Sequence, residues 1–255
     1  MKKMGEEKTT SATIGGAPVS WVALMGALLG AGSIIPLIYY VEGGGYHSLS
    51  YAVIAIVAAL LGPWGATAAA TIGGAISMFL APGSTIDGLI TNFIGPAFMA
   101  GMILNKKWKW IWWVPLFGIV FYELTPWYWP TYPAMGALPQ PFLAASVWYD
   151  GLSFPLLITV GRGKVADWVK GDNKTRMFFG LMLLHWIAAQ SLHLWGWTTW
   201  LLFYFPIPAY VVAVLSGVAV PFERVMLQVI SGIIGVPLLL SLRKSGLRRI
   251  PGAVW

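Results

Sequence analysis

Asn92, Glu123, Asp150, His185, Gln190 and His193 interrupt the apolar segments of this chain. Taking a carboxylate or imidazole out of water is costly unless it finds a partner, a polar cavity or a proton, so each is a candidate for binding or chemistry. Asp150 lies near the middle of an otherwise apolar run. On a helix, His185, Ala189 and His193 fall roughly along one side, with Gln190 three residues before His193. Such groups can hydrogen-bond a captured small molecule. Alternatively, His185 and His193 can join a carboxylate such as Asp150 around a metal that activates water or an oxidant. The metal reading has thin support, because no HExxH, no GxSxG elbow and no clustered third histidine accompanies the pair, and His47 is the only other histidine. The plainest alternative is hydrogen bonding between neighbouring helices that fixes packing. Glu123 falls at the end of its segment, where carboxylates are often merely solvated. Trp127 and Trp129, with Tyr128 and Tyr132, crowd a stretch stiffened by Pro126, Pro130 and Pro133. Flat side chains there can lid a ring or form an aromatic belt at a membrane surface.

The elements that must position these groups follow from composition. Of 255 residues, 58% are hydrophobic and only 10% charged, and the mean hydropathy is +0.73, so lipid suits most of this surface better than water. Apolar runs approach the roughly 20 residues that cross a hydrocarbon core, without the alternation of barrel strands, which predicts an all-α integral membrane protein built as a polytopic helical bundle. The net charge of +7 comes from Lys and Arg grouped at the ends of apolar runs rather than along a stripe, so it marks topology and not nucleic-acid binding. The absence of cysteine removes disulfides, thiolate metal sites and cysteine nucleophiles. The polar start, residues 1–17, is expected to remain attached as a cytoplasmic tail, followed by one transmembrane domain over 18–244 and a cytoplasmic tail over 245–255.

Nine apolar segments are visible, and the basic groups that precede the first, follow the fourth and follow the sixth (within the loop 161–176) alternate as expected for a cytoplasmic N-terminus. The stretch 125–141 carries no Lys or Arg and falls outside. A basic C-terminus on the cytoplasmic side then requires an even count. The segment Trp197 to Val220, rich in aromatics and broken by Pro206 and Pro208, is the one expected not to cross, with Glu223 and Arg224 facing outside. About eight spans with both termini cytoplasmic is the reading, six spans plus peripheral helices the alternative. The expected location is the cell membrane, with multiple passes.

Small residues supply a further pattern. The first segment, WVALMGALLGAGSIIPLIYYV, places Ala23, Ala27 and Ala31 at four-residue steps beside Gly26 and Gly30, a smooth face against which a helix can pack closely in lipid. The run AVIAIVAALLGPWGATAAATIGGAISMFL, Ala52 to Leu80, is stopped and restarted at Gly62 and Pro63. With the ending PFERVMLQVISGIIGVPLLLSLRK, these features resemble the substrate-binding membrane subunits, or S components, of energy-coupling-factor (ECF) type ABC transporters. The resemblance covers about half of the chain and rests on the order of the motifs. Members usually have six spans and are shorter. It implies that Ala23 and Ala27 dock the transmembrane coupling subunit, and that the chain captures a scarce nutrient, such as a vitamin or related ring compound, from outside. It also implies that cytoplasmic ATPases bound to the coupling subunit supply the energy, in keeping with the absence of a GxxxxGK[ST] loop here. The substrate-binding candidates are Asn92, Glu123, Trp127, Trp129, Asp150, His185, Gln190 and His193. No catalytic residue, metal or cofactor is expected, and the partners are membrane lipid, the coupling subunit with its ATPases, and the small-molecule ligand. The competing readings are an accessory subunit of a larger membrane complex and, less favoured, a histidine-metal membrane enzyme.

Overall fold

The computed structural model describes residues 12–40, 45–81, 84–124, 147–203 and 215–255, the side chains of 200–203 and 215 excepted. Described residues form a helical bundle with two short antiparallel pairs, β1 (Thr13–Ile14) with β2 (Ala17–Pro18) and β3 (Pro36–Tyr39) with β4 (Tyr46–Ser48). The main helices are α1 (Val19–Gly32), α2 (Leu49–Leu80), α3 (Ile86–Leu104) and α4 (Trp113–Leu124). They continue with the short α5 (Trp148–Gly151), α6 (Ser153–Ile158) and α7 (Lys164–Lys170), then α8 (Lys174–Phe203) and α9 (Val220–Lys244). The stretches Leu49–Leu80, Ile86–Leu104, Lys174–Thr199 and Ser216–Lys244 are long and apolar enough to cross a membrane. Outward-facing Phe79, Trp110, Val218, Phe222 and Ile233 are each at least 60% exposed, side chains that hydrocarbon accommodates and water does not.

Helix α2 doubles back. Gly62 has φ 70° and ψ 179°, a conformation open essentially only to glycine, and Pro63 starts the second arm. Ser48 and Tyr51 beside its first turn, and Ser77 and Met78 near its last, line one cavity. A straight helix would hold those ends about 45 Å apart. Helix α1 lies against the second arm, where a Cβ on Gly26 would come 2.8 Å from Ile72 and one on Gly30 2.6 Å from Ile76. The glycines of α1 therefore serve internal packing. Ala23, Ala27 and Ala31 point away from it and are exposed. The second small-residue face, with Gly65, Ala66, Ala69, Gly73 and Ser77, is buried within the bundle.

Among the described residues, the basic groups around Lys106, Lys170 and Arg243 gather at one end of the bundle, and the ending chain packs there as well. Lys106 pairs with Asp167 at 2.6 Å, and Arg243 donates to the carbonyls of Val169 and Gly171 at 2.7 and 2.8 Å. Residues 245–249 are exposed, but 250–255 pack back onto the bundle. Trp255 is 1% exposed, stacks on Trp21 and donates its indole N–H to Leu60 O, while Val254 N–H bonds Ala59 O. The backbone of Pro251 and Gly252 covers Gly62. Helix α8 also runs through Trp197 to Phe203 without interruption, so the start of the segment expected to stand apart belongs to that helix. The Pro206 and Pro208 break lies outside the described residues.

Candidate functional site

The other end of the bundle carries a cavity of about 70 Å³. Its wall comes from the β3–β4 pair (Tyr46, His47, Ser48), from both ends of α2 (Tyr51, Ser77), and from the start of α3 (Asn92, Phe93). Asn92 and Phe93 sit in a π-helical stretch, Leu89–Ile94, and such widened turns recur where a helix presents functional side chains. The lining is rich in hydroxyls. Ser77 and Ser84 bond each other at 3.1 Å, and Tyr46 donates to Ser33 O at 3.1 Å. The volume is below the roughly 300 Å³ of sites for drug-sized ligands, so anything as large as a vitamin requires lining side chains such as Tyr40 and Tyr46 to withdraw.

His47 and Tyr51, which line the cavity, also belong to a buried polar cluster behind it. His47 Nε2 lies 3.1 Å from Glu223 Oε2, and Arg224 Nη1 lies 3.3 Å from His47 Nδ1. A guanidinium only donates and a carboxylate only accepts, so the imidazole must accept at Nδ1 and donate from Nε2. The ring is thus a neutral relay between a cation and an anion. Arg224 also caps the Tyr51 ring, 4.8 Å from its centroid, and Tyr51 meets His185 edge-on. Glu223 and Arg224 are each 4% exposed. Opposite charges bridged through the hydrogen-bonded imidazole of His47 are what makes burial of both tolerable.

A second set adjoins the first. Asp150 is fully buried, accepting from Gln190 Nε2 at 2.5 Å and from His193 Nδ1 at 2.9 Å. Next to it, Tyr149 stacks on Trp186, accepts from Gln228 at 2.7 Å through its hydroxyl, and receives the Trp186 indole N–H at its carbonyl. Helix α8 supplies His185, Trp186, Gln190 and His193, while α5 supplies Tyr149 and Asp150 and α9 supplies Glu223, Arg224 and Gln228. Among the described residues, Gln190 Oε1 and His185 Nε2 are buried without a hydrogen-bond partner. Buried polar atoms without partners are uncommon and mark either strain or a place for a bound group.

Of the residues expected from sequence, Asp150, Gln190 and His193 meet directly, His185 meets Tyr51 of the His47 cluster instead, and Asn92 lines the cavity. Glu123 on α4 is half-buried and belongs neither to the cavity wall nor to these contacts. Trp127 and Trp129 lie outside the described residues. His185 and His193 turn to different partners, Ala52 O and Asp150, and among the described residues no three His, Asp or Glu side chains converge as a metal site would need. Sequence reasoning missed His47, Tyr51, Tyr149, Glu223, Arg224 and Gln228. The signal for Arg224 was present: it is the one Lys or Arg of the chain outside the four basic groups. Comparison with protein families, with curated proteins and with solved structures gives no match.

Proposed function

We propose that the chain is the substrate-capture subunit of an ATP-driven importer of the ECF type, taking up a small ring-bearing nutrient. The observation that carries this reading is the polar cavity at the end remote from the basic groups, joined through His47 and Tyr51 to a charged cluster inside an otherwise apolar bundle. Ionisable groups held in a lipid-facing bundle are expensive and belong to substrate or ion pathways. The exposed Ala23, Ala27 and Ala31 edge supports docking of a coupling subunit, because the bundle's own helices use the glycine edge of α1 instead. On this reading the basic end faces the cytoplasm and the cavity faces outside.

The doubling back of α2 at Gly62 supports a count of eight crossings. They are α1, the two arms of α2, α3, α4, the α5–α6 stretch, α8 and α9. Helix α4, with 12 residues, spans only about 18 Å, so it crosses fully only together with flanking chain. Both termini then lie in the cytoplasm of a multi-pass cell-membrane protein. ATP hydrolysis belongs to the partner ATPases. Purification in mild detergent from the native membrane, with mass spectrometry of copurifying chains and small molecules, tests the reading. Recovery of a coupling subunit, two ATPases and an organic ligand is the expected result. A stable complex without ATPases would instead favour an accessory subunit.

A further inference from the structure

We infer that Asn92 selects the cargo through its side-chain amide, so the group enclosed by the cavity is an uncharged amide-type edge, a C=O beside an N–H; this rests on the capture reading. Asn92 enters the cavity wall from the π-helical stretch at the start of α3. Other polar groups of that wall are already engaged. Ser77 and Ser84 bond each other, Tyr46 donates to Ser33 O, and His47 lies between Arg224 and Glu223. The Asn92 carboxamide, by contrast, makes no hydrogen bond among the described residues. Gly88, one turn earlier and also in the wall, leaves that amide uncovered, since even a Cβ there would stand only 3.4 Å from Asn92 Nδ2.

A few polar groups placed in a concave wall fix the orientation of what binds there, and a free amide is such a group with room beside it. Whichever way round the carboxamide lies, it offers one acceptor oxygen and one donor nitrogen side by side. Its complement is the same pair reversed, a carbonyl next to an N–H. Charge narrows the choice. Among the described residues the wall holds no Lys, Arg, Asp or Glu, and the adjoining segments 41–44 and 82–83 contain no Lys or Arg. Arg224 stands behind the wall, held against His47 and the Tyr51 ring. A carboxylate or phosphate enclosed there would give up its hydration without meeting a cation, whereas an amide edge gives up less and regains it from Asn92. Phe93 and Tyr46 share the wall and supply flat apolar faces for the ring that carries such an edge.

The test uses the full chain purified in detergent from its native membrane, as wild type and as the Asn92→Leu and Asn92→Asp variants. The copurifying small molecule is released by denaturation and identified by mass spectrometry. A compound with adjacent C=O and N–H groups is expected. Leucine keeps the bulk of Asn92 but offers no hydrogen bond, and aspartate keeps its shape but loses the donor and adds a charge. Each variant should retain at least about tenfold less of the compound, the loss expected when one or two hydrogen bonds in an enclosed site are removed. Ligand-free Asn92→Leu should melt where ligand-free wild type does, because the amide holds no other part of the chain. A cargo without such an edge, or one whose polar groups are all carboxylates or phosphates, would overturn the inference while leaving capture intact, as would full retention by either variant. No organic molecule in the wild-type protein would overturn the capture reading and this inference with it. Should Asn92→Leu melt lower, Asn92→Asp and the identity of the wild-type cargo decide.

Discussion

A buried imidazole between Arg224 and Glu223 has one proton arrangement that satisfies both neighbours, and that makes the trio sensitive to any single change. Arg224→Met leaves Glu223 buried without a cation, an alteration that costs about 3–5 kcal/mol where a buried pair is broken on one side. The melting temperature in detergent should therefore fall sharply in Arg224→Met. It should recover in part when Glu223→Gln is added, because the stranded charge is then gone. A double variant no better than the single one would mean that Glu223 takes its compensation elsewhere. At this scale the sequence was half legible. Asp150, Gln190 and His193 stood out because each interrupts an apolar run. His47, Glu223 and Arg224 escaped because they sit at the ends of such runs, where charges are normally solvated. Only the tertiary fold, which brings the β3–β4 pair over the start of α9, shows that these ends are interior.

Among the elements, the turn at Gly62 organises the bundle. Its backbone conformation excludes side chains, and a Cβ there would also come 2.9 Å from Pro251 O. Gly62→Ala should cost about 1–3 kcal/mol from the backbone alone, seen as a lowered melting temperature, with more if the closing chain is pushed off. Replacement without loss would show that the two arms do not need this conformation. The closing chain itself can be probed by deleting residues 250–255. Removal of a fully buried tryptophan typically costs about 3–5 kcal/mol, so the truncated protein should melt well below the intact one while keeping its helical content. The turn was readable from the Gly–Pro pair. The closing segment was not, since RRIPGAVW reads as a polar, short tail whose single tryptophan finds its place only against Trp21 and Leu60.

For the whole molecule, two faces are segregated by chemistry among the described residues: the basic groups around Lys106, Lys170 and Arg243 at one end, a hydroxyl-lined cavity at the other, and apolar side chains around the waist. The helical class was legible because hydropathy reports solvent directly. The crossing count was less so, because hydropathy cannot tell a helix that turns back from one that continues, as α2 and α8 show in opposite senses. Since the chain has no cysteine, single replacements can report sidedness without background. With eight crossings, an impermeant maleimide applied to intact cells should label Ile86→Cys and spare Thr13→Cys and Ser245→Cys until the membrane is opened. Labelling of Thr13 and Ser245 from opposite sides would require an odd count.

Separating capture from coupling is the most demanding test of this arrangement, because the two functions would occupy surfaces of the molecule that share no residue. Ala27 is exposed on α1, while the cavity wall and the Asp150 cluster lie on other elements. Ala27→Trp places a large ring on the smooth edge without entering the bundle. Ligand recovered with the purified variant should match wild type. Copurification of the coupling subunit, and uptake by cells, should fall by at least about tenfold, the scale on which a blocked interface centre weakens association. An accessory subunit would lose its complex in the same variant yet carry no ligand to begin with. Loss of ligand together with uptake would mean that this edge of α1 supports the cavity itself, and that capture and docking are not separate functions of this chain.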